Sequence, residues 1–238
     1  MIDRGETSVC VVLPLFGNQE SVRPLVVQLK ANLGHYDLRI VGVDDESPDG
    51  AAEVLKATAR QLQLPYQLIK NPKNRGQHES IVLGIEQASA DILVVMDADG
   101  QDPPTIAAEL VDRLHGDERI SLAIACRRDD ASPRFKSITS LAFKFCLFWA
   151  VGSKVPLGIG AFYAMRSSAK DLVLSPGLDP SLLPLFLVNR MPTVFHDYDR
   201  EARVHGKSGY SFRSRLRYAW RVLKHSNTLR AKPPEQAD

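Results

Sequence analysis

The amino-acid sequence predicts an α/β fold, with an open, doubly wound and mostly parallel sheet that carries helices on both faces. Over residues 1–125, short runs of β-branched and other apolar residues alternate with longer segments of helical periodicity. One run, Ile-Leu-Val-Val-Met at 92–96, is apolar throughout, as a central parallel strand covered on both faces would be. These observations favour repeated strand–helix units over an all-helical or all-β architecture.

Five strands are predicted, each from a short apolar run that gives way to polar, acidic or proline residues. The first run, Val-Cys-Val-Val-Leu, stops at Pro14, and the second continues into Asp44. The fifth, Ile-Ser-Leu-Ala-Ile-Ala, ends shortly before Arg127. The predicted strands cover residues 9–13, 38–43, 66–69, 92–96 and 120–125.

Four helices are predicted between these strands from apolar spacing and capping signals. The first covers residues 22–33 and the third covers residues 77–88. The second is expected to begin with Ser47 as its N-cap and Pro48 in its first turn. The fourth should run from Pro103 and Pro104 to about residue 114, with Asp102 as its candidate N-cap.

Length and composition are those of one substantial globular core. The 238 residues are 44% hydrophobic, enough for one large domain or a domain with a small appendage. With 30 Lys+Arg against 28 Asp+Glu, the net charge of +2 is too balanced to suggest a nucleic-acid partner.

Cysteine usage and hydropathy bear on the compartment. Cys10, Cys126 and Cys146 lack zinc-site or CxxC spacing, so we expect free thiols in a reducing, cytoplasmic setting. Residues 1–8 lack the apolar core of a signal peptide, and no apolar run reaches the length of a membrane span. Neither a signal peptide nor a transmembrane helix is therefore predicted.

Two of the predicted strands end in pairs of acidic residues. Asp44 and Asp45 follow the second strand, and Asp97 and Asp99 follow the fourth. Because the carboxyl ends of parallel strands meet at one edge of a sheet, we expect all four carboxylates at the same rim. Each pair alone is compatible with turn or helix-capping carboxylates, an interpretation that also stays open for Asp49. Four carboxylates together would repel one another without a cation or a donor-rich ligand, which favours a cation site.

The chemistry of this rim indicates which cation it would hold. Asp97 and Asp99, with Gln101 just beyond, offer oxygen ligands of the kind that Mg²⁺ or Mn²⁺ uses together with substrate phosphates. The six histidines have no zinc-like spacing, and the chain contains neither GxxxxGK[ST] nor GxGxxG. A sheet that binds a metal diphosphate through Asp-x-Asp rather than a glycine-rich loop points to a nucleotide-sugar enzyme.

Four blocks of the sequence resemble successive motifs of family-2 glycosyltransferases of the GT-A fold. They are VVLPLFGNQESVRPLV, VGVDDESPDGAAEVL, NPKNRGQHESIVLGIEQASADILVVMDADGQDPP and REARVHGKSGYS. More narrowly, they resemble the polyprenyl-phosphate glycosyltransferases, the group that includes dolichol-phosphate mannose synthase and undecaprenyl-phosphate aminoarabinose-type transferases. The resemblance covers residues 8–130 and resumes over about 158–215. It implies a UDP- or GDP-sugar donor and a polyprenyl phosphate acceptor.

The resemblance also implies how the chain is divided. Residues 1–130 would form the nucleotide-sugar-binding core, and residues 131–210 the acceptor-side part of the same GT-A domain. Residues 211–238 would form a C-terminal extension with a basic amphipathic helix and a tail.

Donor-binding roles follow for individual residues of the core. Pro14 and Phe16 match a turn that packs against the nucleotide, while Asp44 and Asp45 match an acidic pair that contacts base and ribose. The residues that match those around the divalent ion and the sugar diphosphate are Asp97, Asp99 and Gln101.

The remaining implied roles concern the acceptor and closure of the site. Arg127, or its neighbour Arg128, matches a basic position associated with the acceptor phosphate. Arg203, Lys207 and Ser208 fall in a block that closes over the diphosphate and sugar. The catalytic residues implied by the resemblance are Asp97, Asp99, Arg127 and Arg203.

Some positions depart from the usual family pattern. Gly17 and Asn18 stand where the family usually has Asn-Glu, and Glu46 replaces a usual glycine. Ala161 and Tyr163 occupy places that are often polar. These departures keep a non-catalytic nucleotide-sugar-binding protein open as an alternative.

The chemistry of the acceptor favours a phosphate over a hydroxyl. A sugar hydroxyl needs a general base, and the carboxylate–aromatic blocks that often supply it do not occur after residue 130. A phosphate monoester, with a second pKa of about 6, is already anionic and needs cations instead. Candidate cations are Arg127, Arg128, Arg134, Lys136, Arg203 and Lys207, although a solvated basic surface is the alternative for Arg134 and Lys136. We therefore predict a metal-dependent, inverting transfer to polyprenyl phosphate, with a soluble hydroxyl acceptor as the alternative.

Residues 212–224 combine an apolar stripe with a basic one. The apolar stripe consists of Phe212, Leu216, Ala219, Trp220 and Leu223. The basic stripe consists of Arg213, Arg217, Arg221 and Lys224. This pattern is typical of a helix lying on a membrane surface, and the alternative is a helix that docks its apolar stripe on the core. The same two interpretations apply to residues 141–151, so we expect peripheral contact with the inner face of a membrane.

Overall fold

Seven strands form one sheet in the computed structural model, which describes residues 6–128, 156, 158–199 and 220–230. The strands are β1 Ser8–Leu15, β2 Asp37–Asp44, β3 Tyr66–Lys70, β4 Ile92–Val95, β5 Leu122–Arg127, β6 Ile159–Arg166 and β7 Thr193–Tyr198. The helices are α1 Gln19–Leu33, α2 Ala51–Gln61, α3 Gln77–Gln87, α4 Pro104–Gly116, α5 Lys170–Val173, α6 Leu183–Val188 and α7 Ser226–Arg230. Residues 220–224 are helical as well.

The strand order is β3-β2-β1-β4-β6-β5-β7. Strands β1 to β4 pair in parallel, and β5 pairs in parallel with β7. Strand β6 runs antiparallel to both of its neighbours and separates β4 from β5. The predicted α/β fold class with a mostly parallel sheet is confirmed, and the antiparallel insertion is the feature that the five predicted strands did not reveal.

Helices cover both faces of the sheet. Apolar side chains of α1, α2 and α4 form one buried cluster, while those of α3 and of residues 169–188 form the cluster on the opposite face. Gly84 allows α3 to lie directly on the strands, because a Cβ added there would overlap Cγ1 of Val12 and crowd Val43. The apolar stripe predicted for the first helix is the buried one, consisting of Val22, Leu25, Val26, Leu29 and Leu33.

Two capping predictions are wrong. Helix α2 begins at Ala51 with Gly50 as its N-cap, and Ser47 instead donates its hydroxyl to Asp49 and accepts from the amide of Gly17. Asp49 accepts from the amide of Ala51, so the capping interpretation of that carboxylate is correct.

The N-cap position of α4 is also not the one predicted. Pro103 occupies it, while Asp102 is buried and accepts a hydrogen bond from Tyr198. In both loops a long-range hydrogen bond, which local spacing does not encode, decides where the side chain lies.

Among the residues that the structure describes, Cys10 and Cys126 are free and buried. Within the same described ranges, no helix is long and apolar enough to cross a membrane. Cys146 and residues 141–151 lie outside the described part of the chain.

Candidate active site

The loop after β1 is a tight turn that leaves an aromatic ring exposed. The amide of Phe16 donates to Oδ1 of Asn18 at 2.6 Å, and Gly17 adopts a φ of 67°, a left-handed conformation suited to glycine. Phe16 is 52% exposed, whereas Pro14 is buried within β1 opposite Val43. The ring of Phe16 is therefore available to a ligand at the carboxyl edge of the sheet, while Pro14 lies behind it.

The loop after β2 is fastened to the loop after β1. Oγ of Ser47 accepts from the amide of Gly17 at 2.9 Å, and Oδ2 of Asp49 accepts from the amide of Gln19 at 2.9 Å. Burial raises the pKa of Asp49, but the hydrogen bonds from Ser47, Gln19 and Ala51 lower it by more, so the pKa lies below its usual value. These hydrogen bonds hold the loop after β2 against the loop after β1.

Glu46 occupies a backbone position that favours glycine. Its φ is 61°, in the left-handed region where a side chain costs about 1 kcal/mol. Oε2 of Glu46 accepts from the amide of Asn74 at 2.9 Å, which offsets part of that cost. The departure from the family pattern at this position therefore leaves the turn intact.

The two members of the first acidic pair have different surroundings. Asp44 accepts a hydrogen bond from the amide of Ser47 at 2.8 Å. Asp45 is 2% exposed and accepts from the side-chain amide of Asn71 and from the amides of Arg75 and Gly76, at 2.7 to 2.8 Å.

These contacts give Asp45 a structural role. Burial raises its pKa, and the hydrogen bonds from Arg75, Asn71 and Gly76 lower it by more, so the pKa lies below its usual value. The carboxylate of Asp45 thereby fixes the loop at 71–76 that leads into α3.

The Asp-x-Asp turn lies directly beyond β4. Nε2 of Gln77, in the first turn of α3, donates to Oδ1 of Asp97. Oδ1 of Asp99 accepts from the amide of Gln101 at 3.0 Å, and the carbonyl of Ala98 accepts from the hydroxyl of Ser21 at 2.6 Å. Asp97 and Asp99 are half-buried and Gln101 is buried. The turn is thus anchored from α1 and α3 while its carboxylates stay partly open to solvent.

Strand register brings the two acidic pairs to the same edge. Asp44 pairs with Leu15 at the end of β1, and Val95 of β4 pairs with Val12 on the other side of β1. Because adjacent strands lie about 4.8 Å apart, Asp44 and Asp97 flank the end of β1 at a distance of about 10 Å. The predicted acidic rim is where these residues lie.

The donor atoms of this turn fit a hard divalent cation that takes some of its ligands from a substrate. Asp97, Asp99 and Gln101 offer oxygen ligands only, which Mg²⁺ and Mn²⁺ prefer. Among the described residues, no group of three or more His, Cys, Asp or Glu side chains could hold a metal ion alone. One or two carboxylates completed by phosphate oxygens and water is the usual coordination of Mg²⁺ in nucleotide sites.

A buried hydrogen bond joins the segment after the Asp-x-Asp turn to β7, the strand at one edge of the sheet. The hydroxyl of Tyr198, the last residue of β7, donates to Oδ1 of Asp102 at 2.7 Å, and both side chains are 4% exposed. Phe162 packs edge-on against the ring of Tyr198 with the centroids 5.6 Å apart. Sequence patterns did not single out Tyr198 or Gln77, although Gln77 belongs to the Gly-Gln-His segment within the third resembling block.

Arg127 and Arg128 are the predicted basic residues that the structure describes, and they lie at and just beyond the end of β5, two strands away from β4. The guanidinium of Arg127 lies close to Gly160, where a Cβ would be 2.9 Å from Nη2. Arg128 pairs with Asp199 at 3.4 Å on the surface. Arg134, Lys136, Arg203, Lys207 and Ser208 lie outside the described residues.

The predicted C-terminal amphipathic helix is described only from residue 220 onward. Trp220 is 61% exposed and Leu223 is 42% exposed, while Val222 is buried. Nη1 of Arg221, predicted on the polar face, lies 3.2 Å from the hydroxyl of Ser181. The alternative in which Trp220 and Leu223 dock on the core is therefore wrong for these two side chains.

Comparison with known proteins decides the family. The family model described as glycosyl transferase family 2 matches residues 10–172, more than half of the chain. The chain belongs to glycosyl transferase family 2. The resemblance to family-2 glycosyltransferases and the predicted enzyme class, a glycosyltransferase, are confirmed.

Curated relatives of this family-2 chain include two kinds of polyprenyl-phosphate enzyme. Over 132 residues it is 33% identical to an undecaprenyl-phosphate 4-deoxy-4-formamido-L-arabinose transferase of Pseudomonas savastanoi, covering 54% of this chain and 39% of the relative. Over 114 residues it is 32% identical to a dolichol-phosphate mannosyltransferase of Pyrococcus furiosus, covering 48% of this chain and 32% of the relative. The matched region thus spans less than half the length of these relatives.

Solved structures show that the family-2 chain has the GT-A fold. A mannosyltransferase from Pyrobaculum calidifontis, in complex with GDP-Man and Mn²⁺, superposes with a TM-score of 0.67 at 16% identity, covering 96% of this chain and 66% of that one. Glucosyl-3-phosphoglycerate synthase from Mycobacterium tuberculosis, with Mn²⁺, UDP-glucose and phosphoglyceric acid, superposes with a TM-score of 0.65 at 14% identity, covering 96% of this chain and 82% of that one.

Proposed function

We propose that this chain transfers a sugar from a nucleotide-diphosphate sugar to a polyprenyl phosphate, with Mg²⁺ or Mn²⁺ bound at the Asp97–Asp99 turn. The observation that carries the proposal is the position of Asp97 and Asp99, half-buried and anchored, at the sheet edge that also holds Asp44 and the exposed ring of Phe16. A nucleoside could contact Phe16 and Asp44 while its diphosphate reached the Asp-x-Asp turn about 10 Å away.

The names of relatives support both substrates. The curated relatives are named for undecaprenyl phosphate and dolichol phosphate, and the two solved structures hold GDP-mannose or UDP-glucose together with Mn²⁺. Gln101 completes an oxygen-only donor set with the two aspartates, as those ions require. Lys207, Ser208 and Arg203 remain proposed contacts of the diphosphate and sugar.

The proposed reaction is a single displacement with inversion at the anomeric carbon. An oxygen of the acceptor phosphate forms a bond to the anomeric carbon while the bond from that carbon to the donor diphosphate breaks. The nucleoside diphosphate leaves with the bonding electrons, and the cation, when bound, would neutralise its developing charge. No proton has to be removed, because the phosphate monoester is already anionic near neutral pH.

In this assignment, side chains of the chain position the reacting groups. Gln77 holds the carboxylate of Asp97, and the Asp45-bound loop fixes the helix that carries Gln77. Arg127, at the end of β5, is the acceptor-side cation that the family resemblance implies.

Contact with a membrane surface at its cytoplasmic face is part of the proposal. Trp220 and Leu223 are exposed on the helical segment at 220–224, where Arg221 and Lys224 also lie. Exposed apolar side chains next to cations are the features that favour an anionic membrane surface.

The decisive experiment removes one metal-binding carboxylate. Asp99→Ala should lower transfer of labelled sugar to undecaprenyl phosphate by at least about a hundredfold, because charge stabilisation of this kind supplies several kcal/mol. Excess EDTA should abolish transfer by the wild-type protein, and Mn²⁺ or Mg²⁺ should restore it. Glu86→Ala, an exposed carboxylate at the end of α3, is the matched control and should keep full activity.

The outcomes separate the parts of the proposal. Full activity of Asp99→Ala with a native circular dichroism spectrum, or undiminished activity in EDTA, would contradict the metal site. Transfer to soluble phosphoglyceric acid but not to undecaprenyl phosphate would contradict the lipid acceptor and favour a soluble one.

A further inference from the structure

An open cleft of about 580 Å³ lies at the start of α3. It is bordered by residues 75–79 at the start of α3, by residues 177–181 and by the segment at 221–225. Gln77 lines this cleft and also donates to the carboxylate of Asp97. A ligand in the cleft would therefore lie one side chain away from the proposed metal and donor diphosphate.

Two cations of the cleft have no carboxylate partner within the part of the chain that the structure describes. Within the described residues, neither the guanidinium of Arg75 nor the ammonium of Lys224 forms an ion pair, and both residues are exposed. Glu79 also lines the cleft and is exposed, so it balances one of these charges in part. The first turn of α3 adds the partial positive charge of a helix N-terminus.

The third cation of the cleft is partly neutralised. Nε of Arg221 lies 3.7 Å from Oδ2 of Asp179 and Nη1 lies 3.2 Å from the hydroxyl of Ser181. Oδ1 of Asp179 accepts from both the amide and the hydroxyl of Ser181, at 3.0 and 2.6 Å. The carboxylate of Asp179 is thus occupied locally, and the cleft keeps an excess of positive charge suited to a phosphate.

Apolar surface continues from the cationic end of the cleft. Nζ of Lys224 lies 5.4 Å from the centroid of the Trp220 ring, which is exposed, and Leu223 beside it is exposed too. An anionic group bound by Lys224 would therefore have large apolar side chains next to it. This combination matches an amphiphile with a phosphate at one end and a hydrocarbon chain at the other.

We propose that this cleft is the acceptor subsite, with Arg75 and Lys224 contacting the phosphomonoester and the hydrocarbon chain lying along Trp220 and Leu223. The assignment rests on the proposed function and gives its acceptor a place. It differs from the position implied for Arg127, whose guanidinium lies beside Gly160 of β6 and does not line the cleft.

Binding of short prenyl phosphate tests the cleft without requiring catalysis. Calorimetry would measure the affinity of farnesyl phosphate, farnesol and inorganic phosphate for the wild-type protein, for Arg75→Ala/Lys224→Ala and for Lys56→Ala. Lys56 lies on α2, on the opposite face of the sheet, and serves as the matched control for lost charge. Arg75 and Lys224 are exposed, so their replacement leaves the core untouched.

The expected result is that wild-type protein binds farnesyl phosphate more tightly than farnesol or inorganic phosphate. The double variant should lose at least about tenfold in affinity for farnesyl phosphate, since a hydrogen bond to a charged group is worth that much or more. Lys56→Ala should bind as the wild type does. In turnover, the double variant should raise KM for undecaprenyl phosphate and leave KM for the nucleotide sugar unchanged.

Three results would overturn the assignment. The first is an unchanged affinity of the double variant for farnesyl phosphate. The second is a tenfold loss of that affinity in Arg127→Ala, with no loss in the double variant. The third is that the double variant no longer binds phosphatidylglycerol vesicles but still binds farnesyl phosphate. That result would make the cleft a membrane-docking site. Failure of the wild-type protein to glycosylate undecaprenyl phosphate would contradict the proposed function instead, whatever the binding data show.

Discussion

Replacing Asp45 by asparagine should separate a structural carboxylate from a ligand-binding one. Oδ1 of Asp45 accepts from Asn71 and from the amide of Arg75, both at 2.8 Å, and Oδ2 accepts from the amide of Gly76 at 2.7 Å. Asparagine keeps one acceptor but places an NH₂ group opposite another N–H donor in a buried position. One charge-assisted bond is lost and one donor is left unsatisfied, so we expect the free energy of unfolding to fall by about 3 kcal/mol.

The neighbouring residue supplies the matched control. Among the described residues, Asp44 accepts one hydrogen bond, from the amide of Ser47, and asparagine can still accept it. Asp44→Asn should therefore lower the free energy of unfolding by less than about 1 kcal/mol, while weakening nucleotide-sugar binding. Urea unfolding followed by circular dichroism would measure both variants, with an unchanged m-value showing that the unfolded states are comparable. Equal losses in Asp44→Asn and Asp45→Asn would refute the structural role assigned to Asp45.

The same carboxylate should make stability depend on acid pH. The pKa of Asp45 is lowered in the folded protein, so its contribution is present above the unfolded value of about 3.9 and is lost as the pH falls through the folded pKa. Between about pH 5 and pH 2 the wild-type protein should lose more stability than Asp45→Asn does. Parallel pH profiles for the two proteins would contradict this.

Further perturbations test the packing behind the site. Gly84→Ala should lower the free energy of unfolding by about 1–3 kcal/mol, because the added Cβ would force α3 away from β1. Gly116→Ala is the control, since an added Cβ there meets nothing within 4 Å. Equal Tm values for the two variants would contradict the close approach of α3 to β1. Tyr198→Phe should cost about 1–3 kcal/mol by removing the donor to buried Asp102, and an unchanged Tm would contradict that bond's contribution. Burial raises the pKa of the Cys10 thiol to about 12. Iodoacetamide at pH 8 should therefore label Cys10 only after unfolding, as measured by peptide mapping. Rapid labelling of Cys10 in the native protein would refute the prediction.

Local sequence predicted where β2 and β4 end and which residues follow them. The prediction that the first strand stops at Pro14 is wrong, because β1 continues through Pro14 to Leu15 along β2. The run at 92–96 and the acidic residues after it predicted the Asp-x-Asp turn beyond β4, because periodicity and the onset of polar residues are properties of neighbouring positions. The same reasoning placed Asp44 at the carboxyl end of β2, and strand register then brings it to the edge that holds Asp97. The resemblance to family-2 glycosyltransferases rests on the same short blocks.

Only the tertiary structure decided how those residues are used. The sequence treats Asp44 and Asp45 as one pair, and both are buried. Within the described residues, Asp45 accepts three hydrogen bonds from residues 71–76, whereas Asp44 accepts one, from the amide of Ser47. The partners of Asp97 and Asp102 are Gln77 and Tyr198, which lie 20 and 96 positions away. Likewise, β6 enters between β4 and β5, and the cleft joins residues 75–79 to residues 221–225. Spacing along the chain encodes which side chains are buried, whereas the choice of hydrogen-bond partner depends on which distant segments pack together.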